Sequence, residues 1–415
     1  MKFMKTITLN IERFAYGGVS IGRHNRKVVM LRGAVLPGEQ VEAVIEKDRG
    51  DYFEASLTRV LEASSERIAP ACKYFGVCGG CTYQHMPYDL QVRLKEAVLK
   101  DCLERITKSD AELSEAMVSP DPWHYRMRAQ FKVSDQGIGF HKKGTREVIV
   151  IDRCALLREN INACIQNMAS HLSTTGIGEI HVTGEGSLIA QVIAGKKAVS
   201  RQDAKRLAFD LMQHGFSGVT FVLGDQRPLH FGDPGVVLDL CGLAYTVSPL
   251  SFLQGNWELN RNVIELIKCS LAPLEGMKIL DLYAGAGNFS LPLAAETEVT
   301  AVEGNPHAVQ DGIKNLEMNN IRSCRFVHEP AELFRIKDRF DVVLLDPPRP
   351  GITNKVMRNV LKAAPGRIVY VSCNPATFAR DLKKLLGMYH IESVRMIDFF
   401  PQTFHIESVA FLRLR

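Results

Sequence analysis

The chain reads as α/β, with a mainly parallel sheet in its C-terminal part, an α+β region in the middle and a small β-barrel at its start. Three observations predict this. From Leu271 onward, short apolar runs alternate regularly with amphipathic segments, the pattern of βαβ units feeding a parallel sheet. Up to about residue 60, half-buried alternation such as Val41-Glu42-Ala43-Val44-Ile45-Glu46 is broken repeatedly by turn formers, which suits roughly five short strands closed into an OB-like barrel. Between about 120 and 245, strand-like runs such as HVTGEGSLIAQVIAG alternate with helical ones such as DAKRLAFDLMQH.

At 415 residues the chain exceeds one simple core. The expected division is a barrel over 1–62, a central domain over 68–87 and 108–245, and an α/β domain over 246–415. The helical segment 88–107 is assigned to the last of these despite its early position. No apolar run is long enough for a membrane span, and MKFMKTITLN lacks the apolar core of a signal peptide, so a cytoplasmic protein is expected. Ten cysteines then read as thiols, metal ligands or catalysts and not as disulfides. A net charge of only +5 means that any polyanion-binding surface is local.

Such surfaces are visible. Arg23, Arg26, Lys27 and Arg32 cluster at the second turn of the barrel. Arg126, Arg128 and Lys132 alternate along an expected strand and so share a face, with Lys142, Lys143 and Arg146 in a following hairpin turn. Cations with aromatics nearby suit phosphates and unstacked bases, so these are candidate RNA contacts; a solvated charged face is the alternative.

Cys72, Cys78 and Cys81 form C-x5-C-G-G-C, where Gly79 and Gly80 permit the tight backbone that brings sulfurs together. Three thiols in one short loop point to a metal site, which needs a fourth ligand; an all-thiolate set suits zinc or an iron–sulfur cluster, and spacing does not separate them. Cys102, Cys164, Cys241, Cys269 and Cys324 lie in apolar or helical settings and read as packing residues.

In the C-terminal part, Met277–Leu282 is a buried strand running into Tyr283-Ala284-Gly285-Ala286-Gly287-Asn288 and a helix, a backbone suited to close approach of a ligand. Glu303 ends the next strand, placed to accept two hydrogen bonds from a ribose. Asp346 ends another strand before Pro347-Pro348, which cannot continue a sheet. Cys373 ends the strand Arg367–Cys373 and enters the crevice where open α/β sheets bind ligands. The last two apolar runs, around SVRMIDFF and SVAFLRLR, are expected to pair antiparallel.

The D-x-x-x-G-x-G loop resembles that of Rossmann-like methyltransferases. VSCNPATFARDL, LLDPPRPG, SFLQGN and FHIES together resemble the RNA uracil-C5 methyltransferases, along essentially the whole chain. The resemblance implies a Rossmann-like methyltransferase domain, a TRAM-type RNA-binding barrel and S-adenosylmethionine as methyl donor. It implies that the final strand lies antiparallel beside the one ending at Cys373, so that Asp346, Cys373 and Glu407 converge. It implies Cys373 as nucleophile and Glu407 as base, Gln254, Tyr283, Asn288, Glu303 and Asp346 at the cofactor, and Phe252 packing on the target uracil. Cys154 is the implied fourth ligand and [4Fe-4S] the implied cluster. Pro330 departs from the asparagine of some members, which puts one adenine contact in doubt. Barrel plus cysteine cluster favours 23S rRNA as substrate, with tRNA the alternative; no protein or membrane partner is inferred. A non-catalytic iron–sulfur RNA-binding protein, or a methyltransferase acting on amino groups, would need no thiol at Cys373.

Overall fold

A computed structural model describes residues 5–108, 112–172, 176–195, 199–224, 227–233 and 235–415. The first strands close into a five-stranded barrel in the order Thr6–Ala15, Val19–His24, Lys27–Arg32, Tyr52–Glu62, Gln40–Asp48. The period-two alternation of the sequence becomes a core of Ile7, Leu9, Ile11, Val29, Leu31, Val41, Ala43 and Ala55. The barrel's basic turn is partly neutralised, since Lys27 pairs with Asp48 and Arg23 with Glu12.

The central region is a seven-stranded sheet whose middle strands are Leu188–Ala194, Ile177–Thr183 and Arg128–Ser134. Helices Glu159–Leu172 and Arg201–Gln213 bury Ile161, Ile165, Leu207 and Leu211 against Phe131, Ile180, Val192 and Phe221. The expected turn at 142–147 joins Gly137–His141 to Val148–Val150 in an antiparallel hairpin.

The third region carries an eight-stranded sheet, ordered Cys324–His328, Glu298–Glu303, Lys278–Leu282, Val342–Leu345, Arg367–Ser372, Glu407–Leu414, Tyr389–Ile397, Leu113–Met117. The first five are parallel. Glu407–Leu414 inserts antiparallel between Arg367–Ser372 and Tyr389–Ile397, as the methyltransferase likeness implied. Central strands such as Val342–Leu345 are buried at every position, as expected where helices cover both faces. The helix Tyr88–Thr107 shares an apolar core with this sheet: Val98, Leu99 and Leu103 pack with Phe378, Leu382 and Val394.

Two boundaries differ from the sequence reading. Leu113–Met117, expected within the central domain, is the edge strand of the eight-stranded sheet and runs parallel to Tyr389–Ile397. The hairpin Val236–Leu240 and Leu243–Val247, which the boundary at 245 cuts, packs with Trp257, Val263 and Ile267. Both pairings join segments remote or neutral in composition, so no shift along the chain marks them. Among the described residues no helix is long and apolar enough to cross a membrane.

Candidate active site

Four parallel strands of the large sheet end at one edge, and their last or next residues are the functional candidates. Cys373 follows Ser372, and the turn after it is built by its neighbours. The Asn374 side chain caps the next helix by accepting from the amides of Ala376 and Thr377, and Pro375 takes the first helical position. Asn374 also donates to the Arg349 carbonyl (3.4 Å), which Thr377 Oγ1 reaches at 3.1 Å. The Asp346-Pro347-Pro348-Arg349 turn is thus tied to the cysteine turn. Register then places the third group. Ser372 pairs with Ser408 in the antiparallel ladder, so the next residues, Cys373 and Glu407, face each other at the sheet edge.

Electrostatics bind these groups into one unit. Burial, with the negative charges of Glu407 and Asp346, pushes the Cys373 thiol up to about 11, against the opposing Arg349 guanidinium. Burial and Asp346 raise the Glu407 carboxyl to about 8, again opposed by Arg349. Burial alone holds Asp346 up at about 7. Arg349 follows the proline turn in sequence with no role assigned to it, and its guanidinium acts on both Cys373 and Glu407. Tyr16, from the barrel, had no sequence signal at all; its hydroxyl lies 3.4 Å from the Cys373 carbonyl and its ring stands edge-on to Phe404.

The glycine loop opens beside this crevice. Tyr283 adopts φ 70° and Gly285 φ 57°, with open space where a Gly285 side chain would stand. Both Glu303 oxygens accept backbone amides, from Gly285 (2.8 Å) and Asn305 (2.7 Å). Tyr283 donates to Glu332, and Asn288 exchanges amide hydrogen bonds with Asn260. Asp281, which opens the loop motif, is fully buried; Ser290 donates to one oxygen, the other has no partner among the described residues, and burial raises the carboxyl to about 8. Gln254 is buried, and its Oε1 has no partner among the described residues. These unanswered buried acceptors and clustered carboxyl groups suit a cationic ligand with N–H and O–H donors, the character of S-adenosylmethionine.

The loop carrying Phe252 and Gln254 is held from below. Asp311 Oδ2 accepts from the Ser248 amide (2.9 Å), Ser248 Oγ (2.8 Å) and Ser251 Oγ (2.5 Å), and Asn305 donates to the Leu250 carbonyl (3.2 Å). At its tip Phe252 is 66% exposed, which a core phenylalanine would not be.

The expected basic face is not a free one. Arg128 donates to the Ser251 carbonyl at 3.0 Å and so anchors the same loop. Lys132 pairs with Glu179, and Arg126 donates to the Arg128 carbonyl and lines the cysteine cavity. Arg128 and Lys132 lie on the strand Arg128–Ser134 and Arg126 precedes it, and alternation gave no sign of the acid and carbonyls that meet them.

Cys72, Cys78, Cys81 and Cys154 line one cavity of about 390 Å³, with Phe75, Phe140 and Leu156 among its apolar walls. Burial pushes Cys81 up to about 12, with added repulsion from the other three thiols. Cys154 and Cys78 are raised by the same burial. Gln84 holds the Cys72 amide, and Asn162 exchanges bonds with the Cys154 backbone. As placed, no three His, Cys, Asp or Glu side chains among the described residues form a group that could hold a metal ion. Of the cysteines read as packing residues, Cys102 and Cys164 are buried, whereas Cys269 is exposed on the outer face of its helix.

Residues 239–415 match the family described as tRNA (Uracil-5-)-methyltransferase, and residues 4–58 match the TRAM domain. An uncharacterized RNA methyltransferase of Aquifex aeolicus is 33% identical over 429 residues, covering 99% of each chain. The 23S rRNA (uracil(1939)-C(5))-methyltransferase RlmD of Salmonella paratyphi A is 33% identical, over 97% of this chain and 95% of that one. The crystal structure of Pyrococcus abyssi tRNA (uracil-54, C5)-methyltransferase in complex with S-adenosyl-L-homocysteine superposes with a TM-score of 0.77 at 24% identity, over 97% and 99% of the two chains. With a full-length likeness of this kind added to a thiol and a carboxyl group facing each other at the sheet edge, the chain belongs to the RNA (uracil-5-)-methyltransferase family.

Proposed function

We propose that this enzyme methylates carbon 5 of a uridine in 23S rRNA by way of a covalent adduct on Cys373. The observation that carries the reading is that Cys373 and Glu407 flank the last rung, Ser372–Ser408, of the antiparallel ladder, near enough for the Glu407 charge to act on the thiol, with Asp346 and Arg349 beside them. Carbon 5 of uracil is a weak nucleophile. Addition of the Cys373 thiolate to carbon 6 forms an S–C bond and leaves an enolate that is nucleophilic at carbon 5. S-adenosylmethionine, when bound, supplies an electrophilic methyl group. Glu407 then takes the carbon-5 proton, the ring electrons re-form the 5,6 double bond, and the S–C6 bond breaks to release the thiolate. Gln254, Tyr283, Asn288, Glu303 and Asp346 would hold the donor. Phe252 would pack on the flipped base, replacing stacking lost from the RNA.

The choice of 23S rRNA is supported by the names of full-length relatives such as that of Salmonella paratyphi A. tRNA is the second reading, favoured by the family description matched over 239–415. The four cysteines would hold a [4Fe-4S] cluster, a structural tie between the 72–81 loop and the central sheet; their shared, mostly apolar cavity supports a thiolate-bound group, and zinc is the alternative. Arg126, Arg128 and Lys132 keep at most an indirect part in RNA contact, given their protein partners. The test is a 23S rRNA fragment carrying 5-fluorouridine, which has no carbon-5 proton to lose. The protein should form an adduct stable on a denaturing gel, and Cys373→Ala should form none. Methyl transfer surviving in Cys373→Ala would overturn the mechanism.

A further inference from the structure

The loop that delivers Glu407 is long and irregular. Ile397 and Glu407 pair across the last two strands, and residues 398–406 bridge them. Such a connection has many conformations available unless something outside it imposes one. Its apex, Gln402, is in the left-handed region at φ 66°, a costly setting for a residue with a side chain, and is almost completely buried. What holds it there comes from residues more than three hundred positions earlier. The Gln402 carbonyl accepts the amides of Thr82 (2.9 Å) and Tyr83 (3.0 Å), the two residues directly after Cys81. The Gln402 amide donates to Gln91 Oε1 (2.9 Å), and Gln91 Nε2 returns a bond to Gln402 Oε1 (2.9 Å).

Gln91 is fully buried on the helix Tyr88–Thr107. The same Nε2 also reaches the carbonyls of Tyr83 (3.2 Å) and Met86 (3.1 Å). One amide therefore joins the segment leaving Cys81, the helix and the apex of the Glu407 loop. On one side of the apex, Lys95, one helical turn further along, binds Asp398 Oδ1 (2.7 Å) and the Phe400 carbonyl (3.0 Å). On the other, the path from Gln402 to Glu407 is short: Thr403 Oγ1 accepts the His405 amide at 3.2 Å, and Ile406 is buried.

We propose that Gln91 is a positioning residue for proton removal: by fixing Gln402 it aims Glu407 at carbon 5, and it ties that aim to the cysteine loop. The inference rests on the reading of Glu407 as base. A mis-aimed base has a distinctive signature. Addition of Cys373 and methyl transfer still proceed, but the adduct cannot collapse, so enzyme collects in the covalent complex. A general loss of folding or RNA binding does the opposite and lowers the covalent fraction.

The experiment uses the full chain and an unmodified 23S rRNA fragment, and reads three quantities: kcat, KM for RNA, and the fraction of enzyme linked to RNA at steady state. Gln91→Leu should lower kcat by about tenfold, a part of the roughly 10²–10⁴-fold that a positioned general base contributes, with KM within about twofold and the linked fraction raised. Gln402→Gly is the second variant. Glycine takes φ 66° without strain and keeps the backbone amide and carbonyl, so the backbone ties survive while the side chain that bears the Oε1 acceptor is lost. It should show the same signature at about threefold. Glu407→Gln is the reference. If it fails to accumulate adduct, the base assignment falls. If it accumulates adduct while neither Gln91→Leu nor Gln402→Gly does, the positioning role is overturned. Should Gln91→Leu not fold, Gln402→Gly alone decides.

Discussion

Two sites in this molecule are built around half-buried thiols, and they are made in opposite ways. The cysteine cavity takes three of its sulfurs from ten consecutive residues, 72–81, and a fourth from Cys154. The crevice takes Cys373, Asp346, Arg349 and Glu407 from three separate strand ends. In the cavity Cys81 is buried among other thiols, with a Gln84 hydrogen bond to favour its thiolate, and the Arg126 guanidinium favours that of Cys154. Such a set repels itself when ionised, and a metal ion removes that repulsion. In the crevice Cys373 is less deeply buried and its charged neighbours are carboxyl groups instead of thiols, with the Arg349 guanidinium opposing them. On the proposed reading, a bound cation would stabilise the first site, and at the second a thiolate would form transiently and depart.

The largest expected effect tests the crevice. Replacing Glu407 by Gln keeps the shape and removes the base. Turnover should fall by about 10²–10⁴-fold, the usual contribution of a positioned general base, while the covalent RNA complex builds up. Steady-state methylation with a denaturing gel checks both. Rapid turnover in this variant would make the crevice as passive as the cavity and erase the contrast.

Next comes the cavity. Cys81→Ala should abolish bound metal, measured as iron and zinc per chain, and lower the thermal midpoint by several degrees, because binding free energy to the native state is folding free energy. The Cys373 thiol should still react with 5-fluorouridine RNA in the variant that remains folded. If metal content is unchanged, the four thiols are packing residues and the comparison reduces to one functional site.

How much of this was legible in the sequence depended on where each contact lies. Strand ends announce themselves: an apolar run followed by Asp346-Pro347-Pro348 or Ser372-Cys373-Asn374-Pro375 stops for a steric reason, and the stop is where the ligand crevice forms. Contacts between distant segments leave no such mark. Nothing local connects Tyr16 to Cys373, Asp311 to Ser251, or Gln91 to Gln402. Arg128 shows the intermediate case. Its periodicity was readable, but its partner, the Ser251 carbonyl, belongs to another part of the sheet system and turns an expected RNA contact into a loop anchor.

A smaller effect distinguishes the two thiol environments by pH. With the Cys373 thiol held up at about 11 in the free protein, adduct formation should rise steadily from about pH 7 to about pH 9. The sign follows from the reactive species: raising pH increases the thiolate, and ionising Glu407 near 8 supplies the base while adding a negative neighbour that delays the thiol. Arg349→Met deletes the charge that favours both anions, so the profile should move to higher pH by up to about one unit, with a several-fold lower rate at neutral pH. An unshifted profile would mean that bound RNA and cofactor, not Arg349, set the ionisation.

The smallest effect concerns the cations near the cavity, where the comparison is sharpest. Lys132 lines the cysteine cavity as Arg349 faces the crevice, yet its charge is spent on Glu179 on the neighbouring strand, with both side chains partly open to water. Exposed pairs of this kind contribute about 0–1 kcal/mol. Lys132→Ala should therefore change RNA affinity by less than about threefold, and the thermal midpoint by a degree or less. A direct phosphate contact would instead lower affinity at every sequence and flatten its salt dependence by about one unit of slope. Titrating a 23S rRNA fragment at several salt concentrations separates the two: an unchanged slope leaves Lys132 as a sheet-edge ion pair, and a reduced slope restores it as an RNA contact whose bond to Glu179 is exchanged for a phosphate on binding.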